Sequence, residues 1–573
     1  MTATVTLQVN QSRLIGNLKH SFTNQSTFLS ELMQNARRAG ASEVRFEFHA
    51  PHTLVVIDNG HGIDNLQNLL TIAESGWDEV VCNEERPFGM GFMAALFASD
   101  KVTVSSHNKC LSFQREDAIQ LKPIQIESCD FQHGTRLVLE GITLSYETLK
   151  GSIKSYTRGF PIPVYFDDEM FSCERSWEYL ITQPQTSSFE AYAEVPGLGK
   201  AVFNIDSFDV ECYLLGISIY RDYVDLLSLR GSLTIIHLDP KLFIARSPDR
   251  DCLYDLANSV TKIKDGIKNW WIQRIESMIG VLSDEQIVQR YWKVMKHWGL
   301  YALMNQIKAV PAHLFGRLEG VPECLRGGRI SGSQYPLREG GVITLAELQS
   351  GQVKICSGFP EYMYKKNMIP AVIATIQGWL VLLNGHHIAH DHWLHDHLIR
   401  LSDENGCVFF EELGSEPFYS HMNSDLEVKL CESLVLNWQG HSCTTSDYPV
   451  VYEEDDLHIA VVPKNMKARS VLLMADSYVY SDESDLLDVE LEIDTEKLSI
   501  LLSSMQHTEP ADLLKTILGD RLNLPSARGA TLLISVSNTG QLVTTNVTEL
   551  LKASDGELAM LLSSLTQEQA EAA

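Results

Sequence analysis

The residues most capable of chemistry in this chain begin with an acid and an amide on one predicted helix. Glu31 and Asn35 lie four positions apart and therefore share a helix face. A carboxylate can orient and deprotonate an attacking water, and a carboxamide oxygen can bind a Mg²⁺ ion that bridges phosphates. By itself such a pair is usually ordinary solvated surface, so its meaning depends on the motifs that follow.

Three glycine-containing motifs follow within the first 140 residues. DNGHG, from Asp58 to Gly62, comes after a hydrophobic strand and could direct one carboxylate into a cleft, although a lone match is typical of a hairpin turn. FGMGF, from Phe88 to Phe92, begins a helix whose N–H groups and dipole can hold phosphate. Gly134-Thr135 enters a strand and has no meaning alone.

The elements that must position these motifs can be predicted from apolar periodicity. Helices and antiparallel strands alternate in a way that indicates an α+β fold, with helices on one face of a sheet. The predicted helices are 27–39 (with Ser26 as N-cap), 65–73, 146–157 and 253–281, and the predicted strands are 42–48, 54–57, 101–105, 135–139 and 164–166.

Together and in this order, the four motifs resemble those of the GHKL ATPase superfamily, which includes gyrase B, MutL, sensor histidine kinases and the ninety-kilodalton heat-shock chaperones. The segments ELMQNARRAG, DNGHGIDNLQNLL, FGMGFMAALFASDKVTVSSH and HGTRLVLE are most similar to the HtpG-type chaperones. The resemblance covers residues 5 to 170. It implies a Bergerat-type α/β sandwich that binds ATP and Mg²⁺, followed by further α/β domains.

The resemblance implies a role for each residue near the base and the metal. Glu31 would be the catalytic base and Asn35 the Mg²⁺ ligand. Asp58 would accept a hydrogen bond from the adenine amino group. Gly62 would line the base pocket, and Thr135 would support the adenine through water.

The same resemblance implies a phosphate-binding loop and a lid. Gly89, Gly91 and Phe92 would close over the β- and γ-phosphates. Residues 65–88 would form a mobile lid that closes on ATP, exposes a dimerising surface and reopens after hydrolysis. Only 11 residues separate Gly76 from Phe88, so this lid is shorter than that of the chaperones.

A cation from the next domain usually completes a site of this kind, because phosphoryl transfer needs charge stabilisation. The segment HLDPKLFIARSPDRD offers Lys241, Arg246 and Arg250 as candidates. Each is also compatible with a solvated loop and an ordinary salt bridge. The chain departs from the family pattern at Arg38. The chaperones have an Asp at this position, three residues after the metal-binding Asn.

The length of the chain and its charge distribution predict how the remaining residues are organised. The 573 residues predict an ATP-binding domain at 1–175, a second α/β domain at 176–310 and a divergent acidic region at 311–573 that binds partners or dimerises. The net charge of −28 comprises −9 for residues 1–300 and −19 for residues 301–573. An acidic surface repels phosphate backbones and anionic membranes, which disfavours nucleic acid as a partner.

Other signals are weaker. His386, His387, His390, His392, His395 and His397 invite a metal site, but an exposed helix or loop is the favoured interpretation. Residues Gly197 to Lys200 resemble the end of a P-loop and are interpreted as a turn.

The apolar run from Met368 to Leu383 is interrupted by polar residues and Pro370, so we predict buried strands and no membrane span. Eleven cysteines without a CxxC pair favour a reducing, cytoplasmic location.

We therefore expect an ATP-dependent conformational clamp that hydrolyses ATP slowly, forms an ATP-dependent homodimer, and remodels or senses protein clients. Two alternatives stay open. One is a clamp of the MutL or MORC kind that acts on or senses DNA in bacterial defence or repair. The other is a scaffold that uses ATP only as a dimerisation switch.

Overall fold

In the computed structural model the chain divides into two units, Met1–Val310 and Pro311–Ala573. Each has its own sheets and its own hydrophobic core. The structure describes residues 5–546 except positions 8–9, 19, 21, 23, 73–75, 86, 88, 187, 224–232, 248–249, 318–340, 358–368, 384–387, 402–405, 421–424, 455–456, 476–483, 507–508, 510–531 and 537–541.

The first part of unit Met1–Val310 is a mixed layer of helices and strands. Its strands are β1 Val44–His49, β2 Thr53–Asp58, β3 Lys101–Ser106, β4 Lys109–Gln114, β5 Ile126–Ser128, β6 Thr135–Glu140, β7 Val164–Phe166 and β8 Glu169–Phe171. Its helices are α1 Gln11–Leu18, α2 Thr27–Arg38, α3 Glu79–Glu85, α4 Gly91–Ala98, α5 Arg115–Ile119, α6 Tyr146–Thr157 and α7 Trp177–Leu180. The eight strands form one sheet in the order β5-β4-β3-β6-β2-β1-β7-β8.

One face of this sheet is apolar and covered by helices. Residues paired across antiparallel strands point to the same face, and a row of such pairs is buried throughout. The row runs across five strands through Phe46, Val56, Leu137, Val104 and Leu111. The buried residues of α2, α4 and α6 join this row in a single core. The predicted α+β class is therefore confirmed.

Helix α2, which carries Glu31 and Asn35, begins and ends within one residue of its prediction. Phe28, Leu29 and Met33 recur at helical spacing and are fully buried, so the apolar stripe fixes the helix on the sheet. The predicted cap differs in detail: the Ser26 side chain makes no capping bond and instead donates to Asn24 Oδ1. The helix predicted at 65–73 is shorter, a 3-10 helix at Leu66–Leu70.

The second part of the same unit is a smaller sheet backed by long helices. Its elements are β9 Phe189–Val195, β10 Gly199–Asn204, β11 Val210–Leu214, β12 Ile217–Asp222, β13 Thr234–Leu238, α8 Leu256–Met278, α9 Asp284–His297, α10 Tyr301–Gln306 and β14 Ala309–Pro311. The sheet order is β12-β11-β13-β10-β9. Phe203 of β10 stacks on Trp270 of α8, which fixes the helix against the sheet. The predicted division near residue 175 stays a prediction.

Unit Pro311–Ala573 contains several small sheets. Its strands are β15 Phe315–Arg317, β16 Val342–Thr344, β17 Ile355–Ser357, β18 Leu380–Leu382, β19 Leu398–Arg400, β20 Cys407–Phe410, β21 Gly414–Phe418, β22 Leu426–Cys431, β23 Leu434–Trp438, β24 His441–Thr445, β25 Val450–Glu454, β26 Leu457–Pro463, β27 Leu532–Val536 and β28 Leu542–Asn546. Its helices are α11 Leu345–Gln349, α12 Ile369–Ile376, α13 Ala468–Met474 and α14 Ser484–Gln506. The larger sheets are ordered β15-β18-β17-β19, β20-β23-β24 and β21-β22-β26-β25.

Two predictions in this unit need correction. The apolar run from Met368 to Leu383 is not a set of strands: it forms α12, turns at Gly378 with φ of +68°, and only then enters β18. Six consecutive residues of α12, Ile369 to Ala374, are buried, and a helix that is apolar on nearly every side shows little helical periodicity in its sequence. Within the described ranges, every helix is too short or too polar to span a lipid bilayer.

The histidine segment is also less exposed than predicted. His392 is buried, and Leu394 donates its backbone N–H to His392 Nδ1 at 3.1 Å. His395 and His397 lie on the 3-10 helix Trp393–His397, whereas 386 and 387 fall outside the described residues. Among the residues that the structure describes, no group of three or more His, Cys, Asp or Glu could hold a metal ion.

Candidate active site

A cavity of about 380 Å³ opens in unit Met1–Val310 and collects residues from all four motifs. Its volume lies within the usual range for small-molecule sites. All eight predicted ligand-binding and catalytic residues of the first 140 positions line it: Glu31, Asn35, Asp58, Gly62, Gly89, Gly91, Phe92 and Thr135. The structure therefore brings together residues that are spread over more than 100 positions of the sequence.

The end of the cavity that holds Asp58 is built by two neighbouring strands. Asp58 is the last residue of β2, and its partner across the ladder is Thr135, the first residue of β6. The Gly60 backbone N–H donates to Asp58 Oδ1 at 2.9 Å. Burial raises the pKa of Asp58, and hydrogen bonds from Gly60 and Thr135 counteract only part of that rise. This carboxylate is thus a partly buried acceptor that can receive a donor from a bound ligand.

Glycines allow the backbone to fold tightly around this end. Gly134 has φ of +76°, and a Cβ there would overlap the carbonyl of Asp58. Gly62 has φ of +82°, and a Cβ there would lie 2.6 Å from Ser106 Oγ. The Ser106 hydroxyl donates to the Gly134 carbonyl at 2.8 Å and accepts from the Ile63 N–H at 2.9 Å. Ser106, which sequence reasoning missed, therefore ties the two glycine turns together.

The other end of the cavity holds Glu31 against the beginning of α4. Glu31 lies on α2 and is only 3% exposed. A Cβ at Gly91, the first residue of α4, would overlap Glu31 Oε2, so the carboxylate and the helix start are in close contact because residue 91 has no side chain. Gly89 has φ of +64° and turns the chain into α4, and Phe92 is buried. Phe88 lies outside the described residues.

Of the three candidate cations, the structure places Arg250 in this cavity. Arg250 Nε lies 2.9 Å from Glu31 Oε1, and the two side chains are 9% and 4% exposed. Arg250 Nη1 also donates to Gln34 Oε1 at 2.9 Å. Since Arg250 belongs to the second part of the unit, this pair joins the second part to the helix that carries Glu31.

The other two candidates lie elsewhere in this structure. Lys241 Nζ pairs with Glu84 Oε1 of α3 at 3.0 Å, and Arg246 pairs with Asp251 at 2.9 Å. Both are more than half exposed, and neither lines the cavity. Their predicted contact with a γ-phosphate stays a prediction.

Helix α3 belongs to the predicted lid and is attached to α2 by charge. Glu85 Oε2 accepts from Arg37 Nη2 at 2.6 Å and from Arg38 Nε at 2.8 Å. Burial acts to raise the pKa of Glu85, but hydrogen bonds and charge from Arg37 and Arg38 outweigh it and lower that pKa. Sequence reasoning did not identify Glu85. Residues 73–75, 86 and 88 of the predicted lid lie outside the described residues.

Asn35, the predicted Mg²⁺ ligand, faces a guanidinium. Arg38 Nη1 donates to Asn35 Oδ1 at 3.1 Å, and Arg38 Nη2 donates to Gln34 Oε1 at 3.1 Å. The Arg38 side chain is 2% exposed. A carboxamide oxygen that accepts from a buried cation does not fit a divalent metal at the same atom, because the two positive charges would repel each other.

The site as a whole has groups suited to binding a phosphorylated ligand. One end offers a partly buried carboxylate acceptor. The other offers a helix start, a carboxylate that could activate water, and two buried arginines. The distance between the ends is spanned by apolar residues of the sheet, Val56, Val104 and Leu137. Such a lining suits a flat, partly apolar ligand with an anionic tail.

Comparison with known proteins supports this interpretation. Residues 23–135 match the family described as histidine kinase-, DNA gyrase B- and HSP90-like ATPase. The chaperone protein HtpG of Rickettsia typhi is 27% identical over 224 residues, which cover 31% of this chain and 36% of that protein. HtpG of Cupriavidus necator is 27% identical over 240 residues, covering 34% and 37%. The alignments thus span about a third of the length of these curated relatives.

Two solved structures are similar to this chain at a lower level. The ATPase region of Saccharomyces cerevisiae topoisomerase II has 12% identity and a TM-score of 0.29, covering 42% of this chain and 82% of that chain. The N-terminal domain of a DNA repair protein has 13% identity and a TM-score of 0.30, covering 46% and 98%. From the family match and the four motifs, we identify the N-terminal region of this chain as a GHKL-type ATPase domain of the family that includes HSP90.

Proposed function

We propose that this chain is an ATP-dependent conformational clamp that binds ATP in the cavity and hydrolyses it slowly. One observation carries the proposal: the buried Glu31 carboxylate touches both the start of α4 and Arg250, in the same cavity as Asp58. A water molecule, a γ-phosphate and a stabilising cation must meet at one place for hydrolysis. Glu31, Gly91 and Arg250 provide such a place.

In this proposal each residue has a defined task. Asp58 accepts the adenine amino N–H, with Gly62 and Thr135 beside the base. The backbone at Gly89 to Phe92 holds the β- and γ-phosphates at the N-terminus of α4. Glu31 then orients and deprotonates the attacking water, and Arg250 stabilises the charge that develops on the phosphate.

The contact between Arg250 and Glu31 gives the clamp a way to respond to nucleotide. Before ATP binds, the arginine is held by the catalytic carboxylate. A γ-phosphate carries more negative charge and competes for the same guanidinium, so ATP would release Glu31 for water activation. Because Arg250 comes from the second part of the unit, the exchange would alter how that part is held to α2.

The biological role is proposed from the similarity to HtpG chaperones and from charge. We propose protein clients and an ATP-dependent homodimer, with the acidic region 311–573 as the partner-binding or dimerising part. The net charge of −28 disfavours an extended nucleic-acid surface. A DNA-acting or DNA-sensing clamp is the competing outcome.

Phosphate release by the full chain tests this function. Wild type should turn over ATP, whereas Glu31→Ala should bind ATP and lose turnover, because the variant lacks the carboxylate that activates water. The same substitution removes the partner of Arg250, so the folding of the variant is checked by its melting curve. If Glu31→Ala still hydrolyses ATP at the wild-type rate, Glu31 is not the catalytic base. Stimulation by unfolded polypeptide would support protein clients, and stimulation by duplex DNA would support the competing clamp.

A further inference from the structure

Arg38 is a second buried arginine in the cavity, and it sits beside the predicted metal ligand. All three of its nitrogens are engaged: Nε with Glu85, Nη1 with Asn35 and Nη2 with Gln34. Burial of a guanidinium is costly unless it is paired and hydrogen-bonded. These contacts hold the Arg38 guanidinium in a fixed place and orientation at the end of the cavity that holds Glu31, where the phosphates are proposed to bind.

Arg38 and Arg250 converge on one atom. Arg38 Nη2 and Arg250 Nη1 donate to the same Gln34 Oε1, at 3.1 and 2.9 Å. Burial lowers the pKa of Arg38, and the positive charge of Arg250 lowers it further. Two like charges that share one neutral acceptor repel each other, and an anion between them would relieve that repulsion.

The counter-charges of the two arginines are carboxylates that a phosphate could replace. Arg250 pairs with Glu31, and Arg38 pairs with Glu85. Arginine binds phosphate oxygens through the same forked geometry that it uses for carboxylates. The pair of arginines therefore matches the terminal phosphates of a nucleoside triphosphate, the ligand proposed for this cavity.

We infer that the Arg38 guanidinium takes the place of Mg²⁺ at Asn35, so that this chain binds ATP through a pair of arginines and does not need a metal ion for affinity. The inference rests on the proposed ATP site and adds to it the cation that neutralises the phosphates. A Mg²⁺ ion bound to the Asn35 oxygen would contribute to affinity by neutralising the negative charge of the phosphates. Arg38 already donates to that oxygen and supplies a positive charge at the same place.

Titration calorimetry of the full wild-type chain tests the inference without any mutation. ATP is titrated once with excess Mg²⁺ and once with EDTA. We expect the two dissociation constants to agree within about threefold, a difference of less than about 0.7 kcal/mol. Binding that requires Mg²⁺ would overturn the inference and leave the proposed ATP site standing. Absence of ATP binding in both solutions would refute the proposed site itself.

A pair of neighbouring variants tests the role of Arg38. Arg38→Met should weaken ATP binding in EDTA by roughly 10- to 100-fold, the effect of losing hydrogen bonds to a charged group, and added Mg²⁺ should recover part of the loss. Arg37→Met is the matched control, because Arg37 also pairs with Glu85 but donates to neither Asn35 nor Gln34. The control should bind like wild type in both solutions. Unchanged affinity of Arg38→Met in EDTA would overturn the inference.

A third variant keeps the inference testable if Arg38→Met fails to fold. Asn35→Ala removes the predicted metal oxygen and one of the three contacts of Arg38, and it leaves Glu85 and Gln34 to hold the guanidinium. If Arg38 supplies the cation, this variant should keep its ATP affinity within about threefold of wild type whether or not Mg²⁺ is present. A loss of affinity seen only in Mg²⁺ would place the metal on Asn35 and overturn the inference.

Discussion

The substitution Arg250→Met should destabilise unit Met1–Val310 strongly. Arg250 Nε lies 2.9 Å from Glu31 Oε1, and both side chains are at least nine-tenths buried. Removing one partner of a buried ion pair costs about 3–5 kcal/mol, because the other charge is left uncompensated. At about 2 °C per kcal/mol for a unit of this size, the midpoint of its thermal transition should fall by roughly 6–10 °C.

Scanning calorimetry of the full chain measures this change, and a double-mutant cycle isolates the pair. Glu31→Gln combined with Arg250→Met removes both charges, so the double variant should unfold at a higher temperature than Arg250→Met alone. Lys241→Met is the control for an exposed pair and should shift the midpoint by no more than about 1 °C. If the midpoint of Arg250→Met equals that of wild type, the buried pair between Arg250 and Glu31 does not form, and the proposed role of Arg250 at the phosphate has no support.

The remaining predictions concern the two ends of the cavity. Gly91→Ala should lower ATP turnover at least tenfold with little change in affinity, because the new Cβ displaces the Glu31 carboxylate; unchanged phosphate release would contradict this. Gly134→Ala should weaken ATP binding and lower the melting temperature, because its φ of +76° suits glycine and the Cβ overlaps Asp58; a wild-type melting curve would count against it. Burial raises the pKa of Asp58, so its ionised form costs stability at neutral pH and that cost disappears as pH falls. Asp58→Asn should therefore melt higher than wild type at pH 7 and no higher at pH 3, and an equal gain at both values would contradict the assignment.

Local pattern was sufficient to predict the layer that carries the motifs. The apolar spacing of 27–39 predicts α2 because its core contacts recur every three or four residues. The strands around Asp58 and Thr135 follow from short apolar runs bounded by turns. In contrast, the segment that forms α12 is apolar at every position except Thr375, so spacing could not distinguish this helix from a strand.

Residues of the candidate site that belong to one motif could be predicted. The sequence also offered Arg250 as one of three candidate cations, but it could not show which of the three enters the cavity or which distant residues meet there. Glu31, Asp58 and Gly91 belong to motifs with a recognisable order. Arg250 reaches Gln34 across 216 positions, and Glu85 reaches Arg38 across 47. No local spacing encodes such contacts, because they arise only when the second part of the unit and the predicted lid pack on α2.

Titration of ATP into wild type and Asp58→Asn tests the central claim most directly. We expect saturable binding of one ATP per chain to wild type. We also expect at least a tenfold loss in Asp58→Asn: the Gly60 N–H holds one side-chain oxygen, and the second oxygen becomes an amide N–H₂ group that cannot accept from the adenine. Wild-type protein that binds no ATP, or an Asp58→Asn variant that binds it with wild-type affinity, would contradict the assignment of this cavity as a nucleotide site.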